Sequence, residues 1–317
     1  MFNKLRAKLL SLSFKSIRRI VISVFASWPR DLERAIVIGD TVNHLLMISP
    51  LRYFFKFKIP SNIGTNLYDL SFPSPLIAAS FKDDVSSLVQ WQLVGLGGMT
   101  YKTVLKRPSD GNKRPRIQEI KHDGRYGLIN SLGLPTKGAN YFIDNFENEK
   151  LLSFNRPIGI SIGGNSVEEY LEVFNMVNSK VKESSFDQFF YELNISCPNT
   201  DDGKCLSDDI EGLKMLLNKM RESSRNVIVV KVSPNSTKEN MFKICETLIS
   251  IDKCAINLGN TKYITAESVG LNKKTFSRDS GGLSGIGLFD MTLRNIELIG
   301  SNFDIPIIAT GGISTYE

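Results

Sequence analysis

The sequence predicts an α/β protein: a (β/α)8 TIM barrel that lacks its last strand and follows an N-terminal helical extension. Three observations lead there. Short apolar runs alternate with helix-patterned stretches from about residue 75 onward. Those runs end in clusters rich in Asn, Lys and Gly, as strand tips that face a ligand do. The first fifty residues instead carry a helical apolar stripe on a basic background.

At the N-terminus, Leu5, Leu9, Leu12, Ile17, Ile20, Val21 and Val24 recur with a period near 3.6, which predicts an amphipathic helix over 4–25. Ser27 and Pro29 mark a stop and a restart, and a second helix is expected over 30–48, ending before Pro50. Lys4, Arg6, Lys8, Lys15, Arg18, Arg19 and Arg30 all precede the first acid, Asp31. Two readings follow: a helical hairpin packed on its own domain, or a foot resting on an anionic membrane surface, which the missing acids favour. Residues 52–59 alternate aromatic and basic side chains and read as a strand or an extended linker. The expected organisation is therefore a helical extension with linker over 1–59 and a catalytic barrel over 60–317.

Seven strands are expected at 75–80, 97–104, 157–162, 189–196, 227–234, 254–261 and 305–312, with helices between them at 85–93, 166–181, 208–220 and 238–249. An open doubly wound sheet is the alternative. It wants a Gly-x-Gly-x-x-Gly turn after its first strand, and Ala78-Ala79-Ser80-Phe81-Lys82 offers none. The sequence stops at Glu317, just after the seventh strand, so the expectation is a barrel short of its eighth strand. A seven-stranded or rearranged sheet is the other possibility, and it leaves an unpaired edge beside the first strand.

Composition bounds the function. A chain of 317 residues, 42% hydrophobic and 23% charged, buries a large core. The net charge of +6 comes without the interleaved aromatic and basic residues of a nucleic-acid surface, so no nucleic-acid partner is expected. Cys197, Cys205, Cys245 and Cys254 show no paired spacing, which suits a reducing cytosol and not a disulfide scaffold. With His44 and His122 the only histidines, neither a zinc site nor a Ser-His-Asp triad is expected, and no metal is assigned. No apolar run reaches 18 residues, and 20–28 lacks a small-residue cleavage site, so neither a single spanning helix nor a signal peptide is read. The expected location is the cytoplasm, peripheral on the inner membrane face where the basic helix meets lipid.

The chemistry gathers at the strand tips. After the apolar run from Phe189 come Asn194, Cys197, Pro198 and Asn199. Each asparagine offers an acceptor and a donor, so the pair can grip a planar ligand that carries an imide and a carboxylate. Cys197 between them suits a base once its pKa is lowered, although a Cys-Pro pair by itself is more often a buried structural thiol. Lys102 and Lys231 fall within expected strands. An interior lysine is costly unless it meets an anion, so together they predict an anionic cofactor or substrate, the alternative being that either points outward. Asn130, Asn257 and Asn260 extend the set of amides, and glycine clusters at 281–285 and 309–314 suit backbone contact with a phosphate.

Asn194-Ile195-Ser196-Cys197-Pro198-Asn199-Thr200 resembles the active-site segment of the dihydroorotate dehydrogenases, FMN enzymes of pyrimidine synthesis. The resemblance extends over about 62–317. Lys102-Thr103-Val104 with Arg107-Pro108, Gly111-Asn112 and Pro115-Arg116 is similar to the family's second-strand segment, and Ile129-Asn130-Ser131-Leu132-Gly133-Leu134-Pro135 is similar to the start of its substrate loop. The resemblance implies that Cys197 is the catalytic base, with Lys102 beside it. It implies that Asn130, Asn194, Asn199, Asn260 and Thr261 hold dihydroorotate. On the cofactor side it implies Ala79, Ser80, Lys102, Lys231 and Asn257, with Gly282, Gly285, Gly311 and Gly312 near the flavin and its phosphate.

The cysteine and the Ile-Asn-Ser-Leu-Gly-Leu-Pro segment are similar to class 1, the soluble branch that uses fumarate or NAD. The helical extension is similar to class 2, which sits on membranes and reduces quinone. A quinone acceptor and an anionic membrane partner are thus expectations set against a soluble acceptor. Two other functions compete: a related dihydropyrimidine oxidoreductase, and a non-catalytic, membrane-associated flavin-binding protein.

Overall fold

The computed structural model describes residues 2–25, 31–122, 124–196 and 206–315. Two helices come first, α1 (Phe2–Phe25) and α2 (Glu33–Ile48), followed by a 3-10 turn (Pro50–Phe55). A short hairpin, β1 (Thr65–Leu67) and β2 (Leu70–Phe72), leads into β3 (Ile77–Ala78), α3 (Val85–Val94) and β4 (Gly98–Val104). A second hairpin, β5 (Ile117–His122) and β6 (Arg125–Asn130), precedes α4 (Gly138–Asn145) and α5 (Glu149–Leu152). Strand and helix then alternate through β7 (Ile158–Ile162), α6 (Val167–Glu183), β8 (Phe189–Asn194), α7 (Ile210–Ser223), β9 (Ile228–Val232), α8 (Lys238–Ile249) and β10 (Cys254–Leu258). The chain continues through β11 (Lys262–Thr265), β12 (Ser280–Gly285), α9 (Phe289–Gly300) and β13 (Ile307–Ala309).

Seven of these strands form one curled parallel sheet in the order β13-β10-β9-β8-β7-β4-β3, the wall of a TIM barrel that is not closed. Among the described residues β3 pairs only with β4, and β13 only with β10. The expected strand positions are all occupied, because strands buried on both faces read as continuous apolar runs. Ile228–Val232 and Cys254–Leu258, for example, are buried at every position.

The outer helices follow from their stripes and caps. In α6 the buried residues Val167, Tyr170, Val173, Phe174, Val177 and Val181 recur three and four apart. The Ser166 hydroxyl accepts from the Glu169 backbone N–H at its start, Glu168 and Glu169 lie in the first turn, and Lys180 and Lys182 in the last, so both ends suit the helix dipole.

The barrel floor is apolar. Leu70 and Phe72 from the first hairpin meet Phe190, Val229 and Ala255, the second residues of β8, β9 and β10. The rings of Phe72 and Phe190 meet edge to face at 6.3 Å. Gly98 and Gly159 make room for them, since a Cβ at either position would run into the Phe72 or the Phe190 ring. With its lower end plugged in this way, the barrel can take a ligand only at its other end, where the strands terminate.

Two expectations fail here. For residues 52–59 the strand reading fails and the extended linker holds only after Phe55: Pro50 opens a 3-10 turn whose start is capped by the Ser49 hydroxyl. The glycines at 281–285 are not a loop at a barrel tip. They belong to a four-stranded antiparallel sheet, β11-β12-β6-β5, inserted after β4 and after β10. Gly282 and Gly285 therefore lie inside β12, opposite Asn130 and Gly127, and not at the end of a barrel strand.

The N-terminal helices dock through polar contacts. Asp40 of α2 pairs with Lys82 just after β3, Asp31 and Glu33 meet Arg114 and Arg116 before β5, and Arg18 of α1 reaches Glu119. Leu5, Leu9, Leu12, Ile17, Ile20 and Val24 of α1 remain exposed.

Gly159→Ala tests the packing of the floor. The added methyl must displace the Phe190 ring, and overpacking of this kind costs about 1–3 kcal/mol. We expect a correspondingly lower denaturation midpoint, whereas an unchanged midpoint would mean that the floor is loose.

Candidate active site

Strand alternation sends Phe190, Glu192 and Asn194 of β8 to the same inner face, the first into the floor and the others above it. Lys231 occupies β9 between Asn194 of β8 and Asn257 of β10, its register partners on either side. The result is two polar tiers over an apolar plug.

In the lower tier the Ser80 hydroxyl donates to Glu192 Oε1 at 2.6 Å and accepts from Lys231 Nζ at 3.1 Å. The lysine and the glutamate are themselves 3.8 Å apart, at 8% and 3% side-chain exposure. Asn257 Nδ2 donates to Glu192 Oε2 at 3.0 Å, while Asn257 Oδ1 is buried with no hydrogen-bond partner. A buried acceptor without a donor is costly, and a bound ring N–H would supply the donor.

The upper tier is a chain of contacts. Thr103 and Ser161 share a hydrogen bond at 3.0 Å, and Asn194 Nδ2 donates to Thr103 Oγ1 at 3.0 Å. Ser196 Oγ donates to Asn194 Oδ1 at 3.2 Å and accepts from Asn260 Nδ2 at 2.6 Å. Asn260 Oδ1 then accepts from the Thr261 backbone N–H at 2.8 Å. Thr261 packs on Gly282 so closely that a Cβ there would overlap its hydroxyl, and the Gly282 carbonyl accepts from Asn130 Nδ2 at 3.3 Å. Asn130, Asn194, Asn260, Thr261 and Gly282 thus converge although they come from three different strands and the loop after β10.

Other expected residues sit around this centre. Gly311 and Gly312 follow β13 at φ of 121° and 74°, and a Cβ on Gly312 would overlap the Phe289 backbone N–H at the start of α9. No side chain caps that helix, which runs on from a 3-10 turn whose Ile286 carbonyl accepts from the Phe289 backbone N–H, and Thr292 Oγ1 donates to the Gly311 carbonyl at 2.9 Å. Ala79 lies half-buried beside Ser80, while Gly285 abuts Gly127 at the far end of β12.

Lys102 borders a different space. The register of β4 shifts between Tyr101 and Val104, turning Thr103 inward while Lys102 lines a cleft of about 690 Å3 between α2 and the barrel. Burial draws its ammonium below the ordinary lysine value, partly offset by the Asp83 carboxylate. Cys197 and Asn199 lie outside the described residues. Cys245 and Cys254 are free and buried, and burial pushes their thiols up to about 12 and about 11, far from the reactive range.

Thr103, Ser161, Glu192 and Ser196 escaped the sequence reading. For Glu192 a signal existed: it is the lone acid of an apolar run, two residues before Asn194 and therefore on the same face.

The lower tier makes a testable demand. Lys231→Met leaves the Glu192 carboxylate buried without its cation, which costs about 3–5 kcal/mol, and adding Glu192→Gln should restore much of that loss. A double-mutant cycle by chemical denaturation measures it, and additive losses would contradict the pairing.

A family model described as dihydroorotate dehydrogenase matches residues 62–317. The chain is 30% identical over 258 residues to the dihydroorotate dehydrogenase B (NAD(+)) catalytic subunit of Pyrococcus abyssi, covering 80% of this chain and 81% of that one. The same is found for the like-named subunits of Petrotoga mobilis, 30% identical over 254 residues with 79% and 80% covered, and of Thermococcus kodakarensis, 30% over 262 residues with 81% of each. Matched from the first hairpin through the glycines after β13, the chain belongs to the dihydroorotate dehydrogenase family.

Proposed function

We propose that the protein oxidises dihydroorotate to orotate with bound FMN, as a step in pyrimidine synthesis. The observation that carries this reading is the joined upper tier, in which Asn130, Asn194, Asn260 and Thr261 meet over the buried Lys231 and Asn257. FMN, when bound, supplies a two-electron acceptor for hydride.

The chain's own groups do the rest. The orphaned Asn257 Oδ1 and the Lys231 ammonium offer an acceptor and a donor to the edge of a flat ring, and Gly311 and Gly312, both at positive φ after β13, are the glycines assigned to its phosphate. Asn130, Asn194, Asn199 and Asn260 grip the substrate's imide and carboxylate, with Asn130, Asn194 and Asn260 each exchanging a present contact for one to the ligand. Cys197, as thiolate, takes the proton from C5 while hydride departs from C6, so the substrate loses one proton and one hydride and gains a C5=C6 double bond. Lys102 is given no part in these steps, since its side chain lines the cleft between α2 and the barrel.

For the acceptor, the names of the relatives favour NAD(+). A quinone drawn from a membrane surface is a second reading, supported by the exposed apolar residues of α1 and by the cleft between α2 and the barrel beside Lys102. Among the described residues no helix is long and apolar enough to cross a membrane, so α1 would lie along the surface, with each nearby Lys or Arg adding about 1 kcal/mol on anionic lipid. The division into a helical extension over 1–59 and a catalytic barrel over 60–317 belongs to the same proposal.

Anaerobic stopped-flow mixing with dihydroorotate tests the chemistry. Cys197→Ala should keep its flavin and reduce it about 10²-fold or more slowly, the usual worth of a positioned base. Cys197→Ser should recover rate only at higher pH, an alcohol being a far weaker acid than a thiol. A parent-like rate in Cys197→Ala would remove the cysteine from its role, and reoxidation of the reduced parent by NAD(+) or by a short-chain quinone separates the two acceptors.

A further inference from the structure

Both N-terminal helices precede the residues matched by the family model, 62–317, yet the first turn of α2 is tied to the loop that follows Asn130, the last residue of β6. Between them stands Arg116, a buried guanidinium with 11% of its side chain exposed. On one side Glu33 holds it: Nε donates to both carboxylate oxygens at 3.1 Å, and Nη2 donates to Oε1 at 2.8 Å. On the other side Nη1 donates to three carbonyls, those of Asp110, of Asn112 at 2.7 Å and of Leu132 at 3.3 Å. A planar fork with fixed donors can hold these groups only in one orientation, and the carboxylate sets which one.

The three carbonyls belong to two loops that are stapled together. Asn112 N donates to the Leu132 carbonyl at 3.0 Å, and Asn112 Nδ2 donates to the Ser131 carbonyl at 2.9 Å. Gly111, at φ of 73°, has no room for a Cβ between the Leu132 carbonyl and Arg116, and Gly133, at φ of 68°, has none against Asn112. Leu132 in turn points its backbone N–H at Asn130 Oδ1, 3.5 Å away. A path of contacts therefore runs from Glu33 through Arg116 and Leu132 to the side chain of Asn130.

We propose that Arg116, aimed by Glu33, is a positioning residue for the substrate loop, so that helix α2 sets how firmly Asn130 holds the substrate. The inference rests on the functional reading above. Without the carboxylate, the buried guanidinium loses the partner that Nε and Nη2 share and turns toward whatever acceptor it can reach, loosening its grip on the loop carbonyls. Arg114 supplies the contrast. Its Nε meets Asp31 Oδ2 at 2.9 Å and Glu33 Oε2 at 2.6 Å, tying down the same helix turn by its carboxylates alone.

The test compares Glu33→Gln, Glu33→Asp and Arg114→Gln in the full flavin-loaded chain, reading orotate affinity from the flavin spectrum and the KM and kcat for dihydroorotate. Glu33→Gln should raise the orotate Kd and the dihydroorotate KM roughly tenfold with a smaller change in kcat, as when ground-state grip is lost. Glu33→Asp should recover part of that loss, and Arg114→Gln should stay within about twofold of the parent. A loss of structure alone would lower flavin content and melting temperature while the folded fraction bound orotate normally. Should Glu33→Gln not accumulate in folded form, Arg116→Lys, which keeps the charge but loses the fork, takes its place with the same expected result. A parent-like Kd in Glu33→Gln, or an equal loss in Arg114→Gln, overturns the positioning role. A parent that itself ignores orotate overturns the functional reading and this inference with it.

Discussion

Lys231 and Glu192 face one another inside a wall of parallel strands at 8% and 3% side-chain exposure, and much of the molecule serves to keep them there. Two such groups in a low-dielectric interior are tolerable only when paired and hydrogen-bonded. Ser80 lies between them, Asn257 takes the second carboxylate oxygen, and the aromatic floor below excludes water from one side. What the pair leaves undone is at the open end, where Asn257 Oδ1 waits for a donor. A site with an unmet acceptor, a cation and a ring of amides is arranged for a planar polar ligand before any ligand arrives.

The second arrangement concerns how that open end is covered. The β11-β12-β6-β5 sheet brings Asn130 to the site from an insertion after β4, and Thr261 and Gly282 from an insertion after β10. Insertions are less constrained than barrel strands, and this one is braced from outside through Arg116 and the carboxylates of α2. An N-terminal helix with an exposed apolar neighbour in α1 is thereby in mechanical contact with the substrate loop.

The barrel was legible in the sequence because parallel strands buried on both faces cannot hide their apolar runs. The covering sheet was not. In β5, Ile117 and Ile120 are buried while Glu119 and Lys121 are exposed, which reads as a polar insertion, and β12 is so rich in glycine that it mimics a phosphate loop. Its glycines are required for a different reason: Gly282 must pass Thr261 closely. The strand reading of 52–59 failed because a local cap, Ser49 before Pro50, outweighs side-chain pattern in a short segment. The amides of the site were legible by type, but their partners were not, since Thr103, Ser161 and Ser196 are ordinary residues until the fold lines them up. Arg116 showed nothing in sequence of its reach to Glu33, 83 residues away.

The central claim is that the tiered polar end of this barrel oxidises dihydroorotate at a bound flavin. Its most direct test is an anaerobic titration of the purified, flavin-loaded chain with dihydroorotate, following flavin absorbance and assaying orotate together. The account predicts complete bleaching with one orotate formed for each flavin reduced. Flavin that stays oxidised in excess dihydroorotate, in protein that is folded and fully loaded, would contradict it.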